Sequence, residues 1–239
     1  MENRGFRGFL ALGALLCAGL VALGWQISAS IVRVKALDRT VTVKGLSERE
    51  APADVAIWPV KFSEVDNDLN RLYSAIQSKN SAVTEFLKSS GFKDEEISVS
   101  VPAIIDRQAQ GYNEEATRQF RYSGASTITV YSLNVEQVRA VMRNLVDLGK
   151  RGIAIAGEDY QNKTEFLFTH LNDLKPAMIE EATRNAREVA QKFAQDSSSV
   201  LGKIRAASQG QFSIEDRDSN TPYIKKVRVV STVEYYLSD

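Results

Sequence analysis

Alternation of apolar and polar residues predicts most of the strands in this chain. From Thr40 to Gly45, Val41 and Val43 share one side of an extended segment. The same two-residue period, or a short apolar run, predicts further strands at 56–62, 97–101, 120–132, 153–156, 164–169, 204–214 and 226–237. Pro59 lies inside the second strand. Because proline has no N–H to donate, we expect that strand to lie at a sheet edge or to carry a bulge.

Three other segments repeat their apolar residues every three or four positions, which predicts amphipathic helices. Helices are expected at 66–91, ended by Gly91, at 134–149, with Asn134 as N-cap, and at 173–195. The third helix is expected to direct one set of side chains inward: Met178, Ala182, Ala186, Val189, Ala190 and Phe193. Strand pairs separated by helices predict an α+β fold, with a mixed or antiparallel sheet and the helices packed on one face.

A polar stretch from Asp106 to Arg118 separates two of the predicted strands. It predicts the tip of a long β-hairpin that protrudes from the body. Its central residues, Gln110, Gly111, Tyr112 and Asn113, are the candidate interaction site, with Tyr112 as the side chain able to anchor an interface. Because a lone ribbon cannot bury its own faces, the tip is either mobile or paired with another copy, and both alternatives stay open.

The N-terminal segment carries no charged residue from Gly8 through Val32. Its apolar residues occupy every helical face, which predicts a transmembrane helix in residues 1–33, followed by a linker at 34–39 and one domain at 40–239. The predicted anchor residues are Phe9, Leu10, Leu12, Leu15, Leu16, Leu20, Val21, Leu23 and Trp25. We expect a single-pass protein of the bacterial inner membrane with its soluble domain in the periplasm. The alternative is a signal peptide cleaved near Ser30, which releases the domain into the periplasm.

The composition argues against several classes of binding and catalytic site. Lys plus Arg (30) equals Asp plus Glu (30), and the two signs are interleaved, so nucleic-acid binding is not expected. Cys17 is the only cysteine and lies in the N-terminal apolar run, and His170 is the only histidine. The predicted domain therefore has no thiol nucleophile, no cysteine cluster and no histidine pair for a metal. We expect no enzymatic activity, no cofactor and no metal.

Three constellations are nevertheless candidates for chemistry. Asp54 with Glu48 and Glu50 offers paired carboxylates for a hydrolase, although solvated charges flanking a turn are the expected interpretation. His170 is expected to be structural. Asp216, Asp218 and Asn220 have the spacing that begins a calcium loop. However, the following residues depart from that motif, because Thr221 replaces its glycine and Val227 replaces its bidentate glutamate, which favours a surface turn.

The segment Thr40–Gly45, followed by Pro52–Ala56, resembles the opening of the SIMPL-domain family. Further matching segments occur in the family's order at Gly91–Phe92, Glu96–Ile97, Gly111–Tyr112, Glu181–Ala186 and Val229–Tyr235. Each motif alone is weak, and their shared order over Thr40 to Leu237 carries the resemblance. Ala53 departs from the pattern by separating the proline from the aspartate. The resemblance implies an envelope location, a tendency to homo-oligomerise, a link to envelope or oxidative stress, and no assigned catalysis.

The leading expectation is therefore a membrane-anchored envelope protein that acts by homo-oligomerisation and protein interaction, with the lipid bilayer and a second copy of itself as partners. One alternative is an envelope hydrolase that uses carboxylates near Asp54. The other is a module that binds a peptide or glycan along an exposed sheet edge near Pro59.

Overall fold

The computed structural model describes residues 13, 15–30, 39–109, 120–157 and 162–238 of the protein. Residues 15–30 are helical, and the large apolar side chains of this helix are exposed. Within the described ranges, no helix combines the length and apolarity needed to cross a membrane.

The rest of the described chain forms an α+β fold built on antiparallel sheets, as predicted. Its elements are β1 (Thr40–Pro52), β2 (Val55–Asp66), α1 (Leu69–Ser89), β3 (Ile97–Val99), β4 (Ala103–Asp106), β5 (Tyr122–Ser132), α2 (Val135–Met142), α3 (Val146–Lys150), β6 (Glu165–Leu167), α4 (Leu171–Asp196), β7 (Val200–Gln209), β8 (Ser213–Asp216) and β9 (Ile224–Ser238). A short 3-10 helix, Asp94–Glu96, precedes β3. The chain clusters into two compact units, which are described separately below.

The larger unit comprises residues 49–173 and 214–227. Its sheet has the order β3–β5–β2–β6, and β4 also pairs with β5. One face of the sheet packs on α1, which the Asp68 side chain caps by accepting from the N–H groups of Asn70 and Arg71. Gly91 follows the helix with a φ of 94°, a backbone conformation that glycine adopts without steric penalty. The core contains Trp58, Phe62, Leu72, Ile76, Leu87, Ile128, Val130, Val138 and Leu148, among others.

Two predictions about this unit have different outcomes, and the first is confirmed. β3 and β4 both pair antiparallel with β5, which gives the ladder of the predicted hairpin, while the tip residues 110–119 lie outside the described residues. The expectation for Pro59 is wrong: β2 is an inner strand between β5 and β6, and its register with β5 runs without a bulge through Pro59. Among the described residues, β6 pairs with β2 only at residues 55–57, so no bond to β6 requires an N–H from residue 59.

Two other predictions are wrong in detail. The helix expected at 134–149 is divided into α2 and α3, because the N–H of Asn144 bonds to the carbonyl of Val141 and that of Asp147 to Asn144, a three-residue spacing that tightens the backbone between them. The strand expected at 153–156 is reduced to a single bridge between Ile155 and Phe62. Beside this bridge, the N–H of Ala156 bonds to the carbonyl of Lys61 at 2.8 Å.

The smaller unit comprises residues 1–48, 174–213 and 228–239. Its strands run in the order β1–β9–β7. Helix α4 packs on this sheet through a row spaced four residues apart: Met178, Ala182, Ala186, Ala190 and Ala194. A Cβ added at Gly45 would lie 1.8 Å from the carbonyl oxygen of Ala182, so β1 and α4 approach closely only because residue 45 has no side chain.

The predicted strand at 204–214 is two strands. β7 ends at Gln209 and β8 begins at Ser213, with the N–H of Gly210 bonded to the carbonyl of Val230 between them. The alternating core residues of β9, including Val227, Val229, Val233 and Tyr235, are buried as predicted.

Candidate functional site

The only histidine of the chain pairs with the carboxylate that follows β1. Asp54 Oδ2 bonds to the Nδ1 atom of His170, and the two carboxylate oxygens accept from the backbone N–H of Thr169 at 3.0 and 2.9 Å. A further bond, of 3.2 Å, comes from the N–H of His170. Asp54 therefore ties the turn after β1 to the two residues that precede α4, a structural role that the sequence did not predict.

The charges of this pair are mutually stabilised. Burial opposes the negative charge of Asp54, but the hydrogen bonds from His170 and Thr169 outweigh it and lower the pKa of Asp54. The hydrogen bond to Asp54 raises the pKa of His170. The imidazole is exposed, at 66% of its side-chain surface, so the pair lies at the surface of its unit.

The other carboxylates proposed for a hydrolase bind separate basic groups. Glu50 lies 3.2 Å from a guanidinium nitrogen of Arg217, and Glu48 lies 3.4 Å from one of Arg228. Because Asp54 is itself occupied by three donor groups, each carboxylate has the surroundings of a structural pair.

The calcium-like motif is a turn, which agrees with the expected interpretation. The side chain of Asp218 accepts from the N–H groups of Asn220 and Thr221, each at 2.8 Å. Hydrogen bonds from the Thr221 hydroxyl and from Arg217 lower the pKa of Asp218 to about 2. Asp216 instead forms an ion pair with Lys225.

Helix α4 exposes two large apolar side chains that the sequence pattern assigned to the core. Val189 is 38% exposed and Phe193 is 55% exposed, so the prediction that they point inward is wrong. The alanine row fills the close contact with the sheet, and the row beside it contains Glu181, Asn185, Val189 and Phe193 at four-residue spacing.

The contacts of Glu181 and Asn185 show which way this second row of α4 faces. Glu181 accepts from the hydroxyl of Ser47 at 2.9 Å, and the Asn185 amide donates to the carbonyl of Leu46 at 2.8 Å. Both partners belong to β1. Val189 and Phe193 therefore continue along the β1 side of the sheet, and we call β1 with these two side chains the β1 edge.

The opposite end of the same sheet is strand β7. All its residues except Leu201 are exposed, including Val200 at 61% and Ile204 at 42%. β7 pairs with β9 in regular register from Ala206 to Gln209, but the register shifts on both sides of Ile204. We call this strand the β7 edge. The sequence pattern did not predict that both faces of β7 are exposed. The basic residues that flank Ile204 and the small residues that follow are nevertheless consistent with that exposure.

The sequence-predicted site residues are placed as follows. Leu15, Leu16, Leu20, Val21, Leu23 and Trp25 are exposed on the N-terminal helix, whereas Phe9, Leu10 and Leu12 lie outside the described residues. The hairpin residues Gln110, Gly111, Tyr112 and Asn113 also lie outside them. The hairpin-tip interaction therefore stays a prediction.

A family model matches most of the chain. The family model described as SIMPL, protein of unknown function (DUF541), matches residues 41–235. No curated protein matches the chain.

Proposed function

Because the chain belongs to the SIMPL family, whose function is unknown, we propose a role from the surfaces that the protein leaves exposed. We propose that it is an anchored protein of the bacterial envelope that assembles with copies of itself. The observation that carries the proposal is a three-strand order whose two terminal strands, β1 and β7, each lie beside uncovered apolar side chains.

The β7 edge supports assembly because an edge strand presents N–H and C=O groups that a further strand can bind. Stable monomers usually cover or shorten such edges, and β7 is ten residues long with both faces exposed. The β1 edge offers a terminal strand and, next to it, Val189 and Phe193. A contact that joins the β1 edge of one copy to the β7 edge of the next extends the sheet and covers these side chains.

Such a contact uses two different surfaces, so every copy retains one free edge until the assembly closes. A ring is the closed form of this arrangement. The energy available from one side chain is substantial: with 55% of its surface exposed, Phe193 offers about 100 Å² for burial, worth about 2.5 kcal/mol.

The N-terminal helix supports anchoring. Its exposed residues include Leu15, Leu20, Val21 and Trp25, which share no single helical face. Residues 15–30 span about 24 Å at the usual helical rise, and the charge-free run of the sequence extends from Gly8 to Val32. Side chains of this kind are stabilised by lipid contact.

The test compares the full chain with Phe193→Asp in mild detergent at micromolar concentration, by sedimentation velocity. Gln191→Asp is the matched control, because it adds the same charge at an exposed position of the same helix. We expect the wild type and the control to sediment as one oligomer and Phe193→Asp to dissociate. A strictly monomeric wild type would refute the proposed assembly, and equal behaviour of the two variants would exclude Phe193 from the contact.

A further inference from the structure

The larger unit contains an open cleft of about 860 Å³, whose lining includes Pro52, the last residue of β1, but neither Val189, Phe193 nor any residue of β7. It is bounded by the end of β5, the first turn of α2, the end of α1, the 3-10 helix and the turn after β1. A volume of this size falls in the range of cavities that bind small molecules or a few residues of peptide.

The cleft exposes two large apolar side chains. Tyr131 is 52% exposed and Leu133 is 72% exposed, and both line it. Tyr131 and Leu133 are two positions apart at the end of β5, so their side chains lie on the same side of the chain. The side chain of Ser132, which lies between them in the sequence, is buried. An aromatic ring and a leucine exposed in a concave surface can bind an apolar group.

The charged residues of the cleft are mainly acidic. Glu95, Glu96 and Glu136 line it against one basic residue, Lys93, an excess of two negative charges. The Glu96 carboxylate is fixed in place, because it accepts from the N–H of Lys93 at 2.9 Å and from the hydroxyl of Ser132 at 2.6 Å. These two bonds lower the pKa of Glu96. The carboxylate is therefore ionised at neutral pH.

The walls are held by hydrogen bonds that need no ligand. The Gln137 side chain of α2 donates to the carbonyl of Ser90 at the end of α1, at 3.0 Å. Asn134 accepts from the N–H of Gln137 at 3.0 Å, which caps α2 internally. The first turn of α2 and the end of α1 are thus joined before anything binds, which reduces the ordering that binding requires.

We propose that this cleft binds an extended peptide segment that presents a basic side chain next to an apolar one. The apolar group contacts Tyr131 and Leu133, and the basic group lies near Glu95 and Glu96. Charge complementarity selects the sign of the ligand, and the exposed apolar pair distinguishes a peptide from a simple polyamine. The inference does not depend on self-assembly, since none of these residues belongs to the β1 edge or the β7 edge.

The probe is a fluorescein-labelled, acetylated and amidated pentapeptide of alternating leucine and arginine. Its binding to the full chain is measured by fluorescence anisotropy in nanodiscs of phosphatidylcholine, whose net charge is zero. We expect saturable binding that weakens as sodium chloride rises from about 50 to 500 mM. A pentapeptide with glutamate in place of arginine should not bind.

Three variants locate the site. Glu95→Lys and Leu133→Ser should each weaken binding about tenfold, because one reverses a charge and the other removes an apolar contact. Glu85→Lys makes the same charge change at an exposed position of α1 outside the cleft and should bind as the wild type does. Circular dichroism verifies that each variant is folded, and both cleft changes are at exposed positions.

Four results would overturn the proposal: no saturation at 1 mM peptide, equal binding of the glutamate peptide, equal loss in Glu85→Lys and Glu95→Lys, or full competition by spermine at the peptide's own concentration. Spermine competition would mean that charge alone is recognised.

Discussion

Replacing Asp54 with alanine tests whether this carboxylate is structural or catalytic. The substitution removes the acceptor for the N–H groups of Thr169 and His170 and for the imidazole. The imidazole is mostly exposed, so water compensates most of that bond, and the loss below is worked from the two backbone bonds alone. The two backbone N–H groups lie just before α4 on exposed residues, so the loss is that of their bonds to a charged acceptor, after which water binds them.

The expected loss follows from these two bonds. Hydrogen bonds to a charged acceptor contribute about 1.5 to 3 kcal/mol, and two that share one carboxylate do not add fully, so we expect Asp54→Ala to lose about 2 to 3 kcal/mol. For a protein of this size, that corresponds to a Tm lower by about 4 to 10 °C. Asp54→Asn keeps one acceptor oxygen and should lose about half as much.

The Asp54–His170 pair also makes the free energy of unfolding depend on pH. The pKa of Asp54 is lowered on folding, so its contribution is present above the unfolded value near pH 4 and is lost as pH falls through the folded value. The pKa of His170 is raised, so its contribution is complete below about pH 6.5 and is lost as pH rises through the folded value. The stability difference between wild type and His170→Gln should therefore be largest between about pH 4 and 6.5.

Urea unfolding followed by circular dichroism measures these differences across the pH range. A free energy of unfolding for Asp54→Ala within about 0.5 kcal/mol of wild type would refute the structural role of Asp54, since even one lost bond of this kind contributes more than that. A difference between wild type and His170→Gln that grows above pH 7 would contradict the sign assigned to the histidine.

Two other substitutions test packing. Gly45→Ala places a Cβ 1.8 Å from the carbonyl oxygen of Ala182, so α4 must move away from β1, and we expect a loss of about 3 kcal/mol in the free energy of unfolding, measured in urea. An unchanged stability would show that the two elements lie farther apart. Arg139→Ala removes a guanidinium that lies 3.3 Å from the ring centroid of Tyr223 and also pairs with Glu136, and it should cost about 1 kcal/mol. Arg139→Lys, measured alongside, should recover part of that loss.

The alternating and helical patterns correctly predicted the elements that bury a single apolar face. β9 and α1 are where the sequence placed them, because each has a single apolar stripe that fits one neighbour. The Asn134 cap was also predicted, since its side-chain bond to Gln137 is local in the sequence.

The errors arise where a distant neighbour decides the outcome. The spacing of Val189 and Phe193 fits a helix. However, the alanine row of α4 and Gly45 of β1 let the two elements approach so closely that larger side chains do not fit between them. Asp54 and His170 are 116 residues apart, and no local pattern predicts that pair. The cleft likewise combines three separate stretches of sequence, 52–53, 91–96 and 131–137, and none of them alone indicates a binding site.

The irregular pairing of β7 with β9 limits what the β7 edge can accept. Only Ala206 to Gln209 run in continuous register, a length of about 13 Å, and the shifts around Ile204 twist the backbone away from a straight ladder. A neighbouring strand therefore gains a short run of hydrogen bonds and then meets a bend. An irregular edge of this kind limits how long a strand can pair with it, so the β7 edge is suited to a short partner segment and is poorly suited to the continuous strand addition that a flat ten-residue edge permits.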